Sequence, residues 1–157
     1  MFQTVHLKKL LFSLFVTLGT GALAGLLTQQ KPLYESLARP SLSPPGWVFG
    51  VVWTVLYALM GIALYRILCT KKSKERGLAL RLFAVQLAAN FIWPLLFFGL
   101  RLYGPSAVLL AILIVLILLT MRSFYRLDRV AFYLMIPYLL WCLFALYLNI
   151  GVAVLQP

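Results

Sequence analysis

Five long stretches of the chain carry no charged residue, and the charged side chains gather between them. Each stretch is close to the roughly 20 apolar residues that a helix needs to cross a bilayer. The alternation of polar and apolar residues that is typical of membrane β-barrel strands is absent. The pattern predicts an all-α protein, a polytopic five-helix transmembrane bundle, with spans at Leu10–Leu27, Trp47–Tyr65, Leu82–Leu100, Leu102–Met121 and Val130–Leu155.

The composition supports this prediction. Hydrophobic residues make up 64% of the chain and charged residues 11%, against about 45–50% and about 25% in ordinary soluble domains. So few polar side chains cannot cover the surface of a water-soluble globule. An ordinary cytosolic domain, a disordered chain and a disulfide-stapled secreted module are therefore excluded. The five spans take up most of the 157 residues, so residues 1–157 are expected to form a single transmembrane domain.

The net charge of +11 predicts how the bundle is oriented. Its cations lie beside the apolar runs, where they mark the cytoplasmic ends of membrane helices and contact membrane lipid. No soluble domain offers a basic face to nucleic acid, so nucleic acid is not an expected partner. Only Lys31, Arg39 and Arg101 lie on the side of the first loop. The opposite side, which includes the N-terminus, holds eleven: Lys8, Lys9, Arg66, Lys71, Lys72, Lys74, Arg76, Arg81, Arg122, Arg126 and Arg129. Because the side richer in Lys and Arg is usually cytoplasmic, the N-terminus is predicted to be cytoplasmic.

Two features of the first and third spans leave alternatives open. Ala22-Leu23-Ala24 has the form of a signal-peptidase site, although the run continues to Leu27 and is long enough to span by itself. Gly21 and Gly25 form a small-xxx-small pair, which allows helices to approach closely. For this pair, packing within the chain is the favoured interpretation and dimerisation is the alternative. Ala84 and Ala88 in the third span form a second such pair, which is equally ambiguous between packing within the chain and dimerisation.

Few residues have the pattern of a catalytic or metal site. No His, Cys, Asp or Glu residues have metal-ligand spacing. Proton-coupled carriers usually require ionisable groups within the membrane, but no Asp or Glu lies within a predicted span. No metal and no intrinsic cofactor are expected. The loop at residues 28–46, with four prolines, is the longest connection predicted to lack regular structure. Such loops are often functional, and this one would suit an ordered cover over a cavity.

Large aromatic and amide side chains converge beneath that loop. At 1.5 Å per residue, Trp53, Asn90 and Trp93 lie about 9 to 15 Å below the loop side, and Trp141 about 14 to 21 Å below it. Each tryptophan could instead face lipid, but a membrane amide needs a partner. Such a surface suits a flat, apolar ligand with polar edges, a porphyrin or a sterol. Helical spacing extends it to Tyr57, Phe97, Tyr138, Ala145 and Asn149.

Three blocks of sequence resemble the translocator protein / tryptophan-rich sensory protein family. They are residues 34–47 (YESLARPSLSPPGW), continued by Val52–Tyr57; residues 86–94 (QLAANFIWP), followed by Phe97–Gly99; and residues 137–141 (PYLLW), with Ala145 and Asn149 beyond. They keep their order and cover nearly all of the chain after the first span.

The resemblance implies a homodimeric five-helix bundle in the bacterial cell membrane, with a ligand pocket that the first loop closes. Family members act as receptors, sensors or transport proteins that bind tetrapyrroles, protoporphyrin IX or haem, and some bind sterols or synthetic drugs. Some promote light- and oxygen-dependent porphyrin breakdown. Matching positions assign Trp53 and Trp141 to that breakdown and Asn90 and Ala145 to the pocket. A porphyrin-degrading enzyme and a structural or partner-regulating protein are the alternatives to a porphyrin-binding sensor or carrier.

This chain departs from the family pattern at two places. Leu42 replaces a tryptophan in the loop, so one aromatic wall of the cover is expected to be missing. The C-terminal cholesterol motif of animal members needs Tyr followed by Lys or Arg, and the residues after Asn149 contain neither. Sterol recognition through that motif is therefore not expected.

Overall fold

The computed structural model describes residues 5–28 and 30–156. In that part of the chain, five helices are long and apolar enough to cross a membrane, and no strand is present, which confirms the predicted all-α five-helix bundle. The helices are α1 (Leu7–Thr28), α2 (Gln30–Ser36), α3 (Gly46–Leu68), α4 (Lys74–Pro94), α5 (Tyr103–Leu127) and α6 (Arg129–Leu155).

Several helix ends lie outside the predicted spans, most of all the start of α4 and the end of α5 at Leu127. The helix α4 begins at Lys74, eight residues before the predicted span, because a helix continues past the hydrocarbon once its first turn is capped. Here the Ser73 side chain accepts a hydrogen bond of 3.1 Å from the Arg76 amide. The expectation that residues 28–46 lack regular structure was wrong for Gln30–Ser36, where Pro32 falls in the first turn, a position at which a helix tolerates proline.

The helix α4 changes its geometry at Pro94. Proline has no N–H to donate to the preceding turn, and the chain continues as a π-helical turn over Leu95–Gly99. Such turns widen a helix locally and occur often at functional sites. The turn brings Phe97 and Phe98 into the core, where both are buried.

The long helices form a closed ring in the order α1, α3, α6, α5, α4. Close contact between α1 and α3 depends on glycines. A Cβ atom at Gly21 would lie 2.3 Å from the Tyr57 ring, and one at Gly61 would lie 2.7 Å from the Thr17 hydroxyl. Gly21 therefore serves packing within the chain, the interpretation that the sequence favoured, whereas nothing lies within 4 Å of a Cβ at Gly25.

The two ends of the bundle differ in charge. We call the end with residue 5, the α3–α4 turn and the α5–α6 turn the basic face, and the end with residues 30–45 the loop face. At the basic face Arg66 forms a salt bridge of 2.8 Å with Asp128, which also caps α6 through the Ala131 amide. Burial raises the pKa of Asp128, but its hydrogen bonds and the Arg66 charge outweigh that effect and hold the pKa below its usual value.

Candidate ligand-binding site

A cluster of aromatic rings lies in the half of the bundle nearer the loop face. The Trp53 ring centroid is 5.6 Å from that of Tyr57, 6.4 Å from that of Trp93 and 6.3 Å from that of Tyr138. Trp93 in turn stacks on Phe97 at 5.5 Å. The structure thus brings together Trp53 and Trp93, which the sequence placed at similar depths. It adds Tyr57, Phe97 and Tyr138, which helical spacing placed on the same surface.

Asn90 connects the cluster through hydrogen bonds. Tyr57 donates to the Asn90 carbonyl oxygen, and the Asn90 amide donates to the Tyr138 hydroxyl at 2.9 Å. Tyr138 then donates to the side-chain oxygen of Gln86 at 2.8 Å. The buried amide thus finds its partners within the protein, which avoids the cost of leaving it unsatisfied in hydrocarbon.

Asn149 forms a second polar centre nearer the loop face. Its side-chain oxygen Oδ1 accepts hydrogen bonds from the Trp93 indole N–H at 2.9 Å and from the Ser106 hydroxyl at 3.1 Å. Its amide donates to the Tyr103 carbonyl at 2.8 Å. Together the two centres join α3, α4, α5 and α6.

Residues 37–45, which we call the lid, cover this end of the bundle. Tyr147 of α6 donates to the Ser41 carbonyl at 2.7 Å, and Gln156 donates to the Ala38 carbonyl at 2.9 Å. Gly151 lies directly under Pro40, since a Cβ atom there would come within 2.4 Å of the proline ring. The lid is therefore docked on the end of α6.

Leu42 stands at the tip of the lid with φ of 68° and 84% of its surface exposed. The left-handed region is unfavourable for a residue with a Cβ atom. The side chain lines none of the cavities near the loop face. In this position of the lid a larger aromatic side chain at residue 42 would face outward, so the missing tryptophan removes no inner wall.

Three small cavities lie near the loop face, each bordered by α2, and no residue of the lid lines them. One of about 180 Å³ is lined by residues that include Tyr34, Trp47 and Phe49. One of about 40 Å³ borders Trp53, Tyr57, Asn90 and Trp93, and one of about 20 Å³ borders Phe97, Ala145 and Asn149. Sites for drug-sized ligands usually enclose about 300–1,000 Å³. The structure therefore represents a closed state of the candidate site.

Trp141 lies apart from the other predicted residues. It lines a groove of about 450 Å³ on the outside of the bundle between α3 and α6. Its ring is 5.5 Å from that of Phe49, which is 4.6 Å from that of Tyr34. The Trp141 indole N–H is buried and has no hydrogen-bond partner among the described residues. Trp141 is thus linked through Phe49 to Tyr34 of α2 rather than to the central cluster, and the Tyr34 hydroxyl donates to the lid at the Pro44 carbonyl, at 2.7 Å.

Sequence reasoning missed several residues of the site. Gln86 and Ser106 complete the two hydrogen-bonded centres, and Tyr34 and Phe49 separate the cavities. A buried glutamine within a membrane span was a usable signal for Gln86, whereas a membrane serine or phenylalanine gives no such signal. Within residues 5–28 and 30–156, no three His, Cys, Asp or Glu side chains come close enough to hold a metal ion.

Comparison with known proteins agrees with this architecture. Residues 12–155 match the TspO/MBR family. The chain is 40% identical over 138 residues to the tryptophan-rich protein TspO of Chlorobaculum tepidum, a match that covers 85% of this chain and 87% of that one. It is 35% identical to the tryptophan-rich sensory protein of Cereibacter sphaeroides, with 88% of each covered. Human translocator protein is 37% identical, with 74% of this chain and 70% of that one covered.

The family match covers nearly all of the chain, and the five apolar helices fit it. The protein is an integral membrane protein and belongs to the TspO/MBR family.

Proposed function

We propose that the protein is a membrane receptor or sensor that binds a tetrapyrrole, protoporphyrin IX or haem, beneath the lid. The observation that carries the proposal is the cluster of half-buried Trp53 with buried Tyr57, Trp93 and Tyr138 around buried Asn90. Flat conjugated rings stack on such side chains, and the amide and hydroxyl groups offer polar contacts to ring nitrogens or carboxylates. Relatives named sensory proteins and translocator proteins support the same class of function.

The proposal requires the closed site to open. The cavities of about 180 Å³ and 20 Å³ share Tyr34, Phe49 and Phe98 in their walls, and the cavities of 20 Å³ and 40 Å³ share Trp93. Rotation of these few rings, with undocking of the lid, would join the cavities into one space. A ligand would then stabilise an open state that the unliganded protein populates only slightly.

A titration of the purified protein in detergent tests this function. Protoporphyrin IX and haem are added in darkness, and the porphyrin absorbance and tryptophan fluorescence are recorded. We expect saturable binding of one ligand per chain. Binding that does not saturate, or that matches an equal amount of detergent alone, would refute the proposal. The same samples under light with oxygen report porphyrin loss, so binding and degradation are measured separately.

The same proposal includes a homodimer. The groove between α1 and α4, of about 690 Å³, contains Gly19, Ala84 and Ala88, and small residues let membrane helices approach closely. Ala84→Leu should therefore reduce the dimer fraction in light scattering coupled to size-exclusion chromatography. The matched variant Ala111→Leu, at an exposed position of α5, should leave it unchanged. A monomeric wild type would contradict the dimer.

A further inference from the structure

The turn between α5 and α6 carries a group of exposed arginines and tyrosines, which we call the arginine patch. Its members are Arg122, Tyr125, Arg126, Arg129 and Tyr133, and all five are exposed. The first three lie three and four residues apart on α5, a spacing that places them on one face of the helix. The Arg129 guanidinium lies 5.3 Å from the centre of the Tyr125 ring, which joins the start of α6 to that face.

The positive charge of the arginine patch is not neutralised by the nearby acid. Asp128, between the two helices, forms its salt bridge with Arg66 and accepts from the Ala131 amide. Among the described residues this is the one salt bridge. The start of α6 adds the partial positive charge of a helix N-terminus. Among the described residues, the three arginines therefore form no salt bridge.

The depth of the arginine patch matches the headgroup layer of a bilayer. Arg122 lies five residues before the end of α5 and Tyr133 four residues after the start of α6, so the patch is about 6 to 8 Å deep. The headgroup region on each side of the hydrocarbon is of similar thickness, roughly 5 to 8 Å. Tyrosines are favoured at this level, and guanidinium groups bind phosphate oxygens in pairs.

We propose that the arginine patch is a binding site for the phosphate of an anionic phospholipid in the leaflet at the basic face. The exposed fractions of Tyr125 and Tyr133, 45% and 58%, leave both rings available to the acyl–glycerol region beside the headgroup. This site is independent of the ligand site beneath the lid, because it lies at the opposite end of the bundle.

The chain contains a matched control for this proposal. Lys71, Lys72 and Lys74, in and just after the α3–α4 turn, are exposed and carry the same charge at the same face. However, Glu75 follows them directly, no tyrosine lies beside them in the sequence, and ammonium groups act as point charges without the paired geometry of arginine. A purely electrostatic attraction would use both groups equally, whereas a built site would use the arginine patch.

Native mass spectrometry of the full chain in detergent measures the binding. The probes are dioleoyl phosphatidylglycerol and dioleoyl phosphatidylcholine, and the variants are Arg122→Gln/Arg126→Gln/Arg129→Gln and Lys71→Gln/Lys72→Gln/Lys74→Gln. A hydrogen bond from a guanidinium to the phosphate contributes about 1 kcal/mol net, which is about fivefold in affinity. We expect the arginine variant, which removes three such donors, to lose about 100-fold in affinity for phosphatidylglycerol. The lysine variant removes no such hydrogen bond and should lose less than about fivefold.

Equal losses in the two variants would refute the site, as would equal wild-type binding of the two lipids. Displacement of the lipid by millimolar inorganic phosphate would also refute it, since the site would then select a soluble anion. Each variant keeps eight cations on the basic face against three on the other, so membrane orientation is preserved. If the triple arginine variant does not fold, Arg126→Lys keeps the charge and should still lower the affinity, and an unchanged affinity would count against the site.

Discussion

Gly151→Ala should undock the lid without touching the aromatic cluster. An alanine Cβ there would lie 2.4 Å from Pro40 Cγ and 2.6 Å from its Cβ, well inside van der Waals contact. Overpacking of this kind typically costs about 1–3 kcal/mol. The gain in helix propensity over glycine, about 1 kcal/mol, is present whether the lid is docked or not. The docking equilibrium should therefore shift toward the undocked lid by about 5- to 150-fold.

Hydrogen exchange measured by mass spectrometry tests this shift. The Leu37 amide, which donates to the Tyr34 carbonyl at 3.3 Å, should exchange faster in Gly151→Ala by up to the same factor, while amides in the middle of α6 should not change. The control is Gly25→Ala, because no atom lies within 4 Å of a Cβ at Gly25; it should leave lid exchange unchanged. Equal lid protection in a folded Gly151→Ala would show that Pro40 adjusts in place, and the docking of the lid on α6 would then be refuted.

Three further predictions concern the ends of the bundle. Asp128→Asn keeps the helix cap but removes the charge opposite Arg66. At pH 7 the melting temperature should therefore fall, with a loss of up to about 1 kcal/mol in the free energy of unfolding for a partly exposed pair. Because the native pKa of Asp128 is depressed, this difference is present above the unfolded pKa and should vanish as the pH falls through the native pKa; a constant difference would contradict the pair. Ser36→Cys should react with a membrane-impermeant thiol reagent applied outside cells, and Lys72→Cys only after permeabilisation; the reverse result would overturn the predicted orientation. Leu42→Gly removes a positive-φ cost of about 1 kcal/mol and should raise the melting temperature or slow lid exchange, whereas destabilisation would mean that the Leu42 side chain makes stabilising contacts.

The helices could be predicted from the sequence because the membrane imposes a strong constraint. Every backbone polar group in hydrocarbon must be satisfied within the chain, so a long uncharged run is almost always a helix. The same argument cannot place helix ends outside the hydrocarbon. There, local capping by Ser73 extends α4, and a tolerated Pro32 allows the short helix α2.

The depth of the site residues could be predicted, but the direction of each side chain could not. Successive residues of an α-helix turn by about 100°. From Tyr138, Ala145 and Asn149 return to within about 20° of the same direction, whereas Trp141 is about 60° away. The structure agrees with this difference, since Tyr138, Ala145 and Asn149 are almost fully buried while Trp141 borders the α3–α6 groove.

The small size of the cavities at the site could not be predicted from the sequence. Whether Tyr34 and Phe49 fill a cavity depends on the docking of the lid, which rests on contacts more than 100 residues apart in the chain, such as that of Tyr147 with Ser41. Periodicity and composition carry no information on such contacts. The amide groups illustrate the same limit, because the sequence shows that Asn90 needs a partner but not that Tyr57 and Tyr138 provide it.

The most direct test of the ligand site is the protoporphyrin IX affinity of Ala145→Thr, measured in darkness by titration of the purified protein. Ala145 is 3% exposed and borders the smallest cavity, so the added atoms would occupy ligand space at a cost of about 1–3 kcal/mol. The affinity should fall about 5- to 150-fold, while Ala111→Thr, at an exposed position of α5, should bind like the wild type. An unchanged affinity in a folded Ala145→Thr would contradict the placement of the ligand beneath the lid.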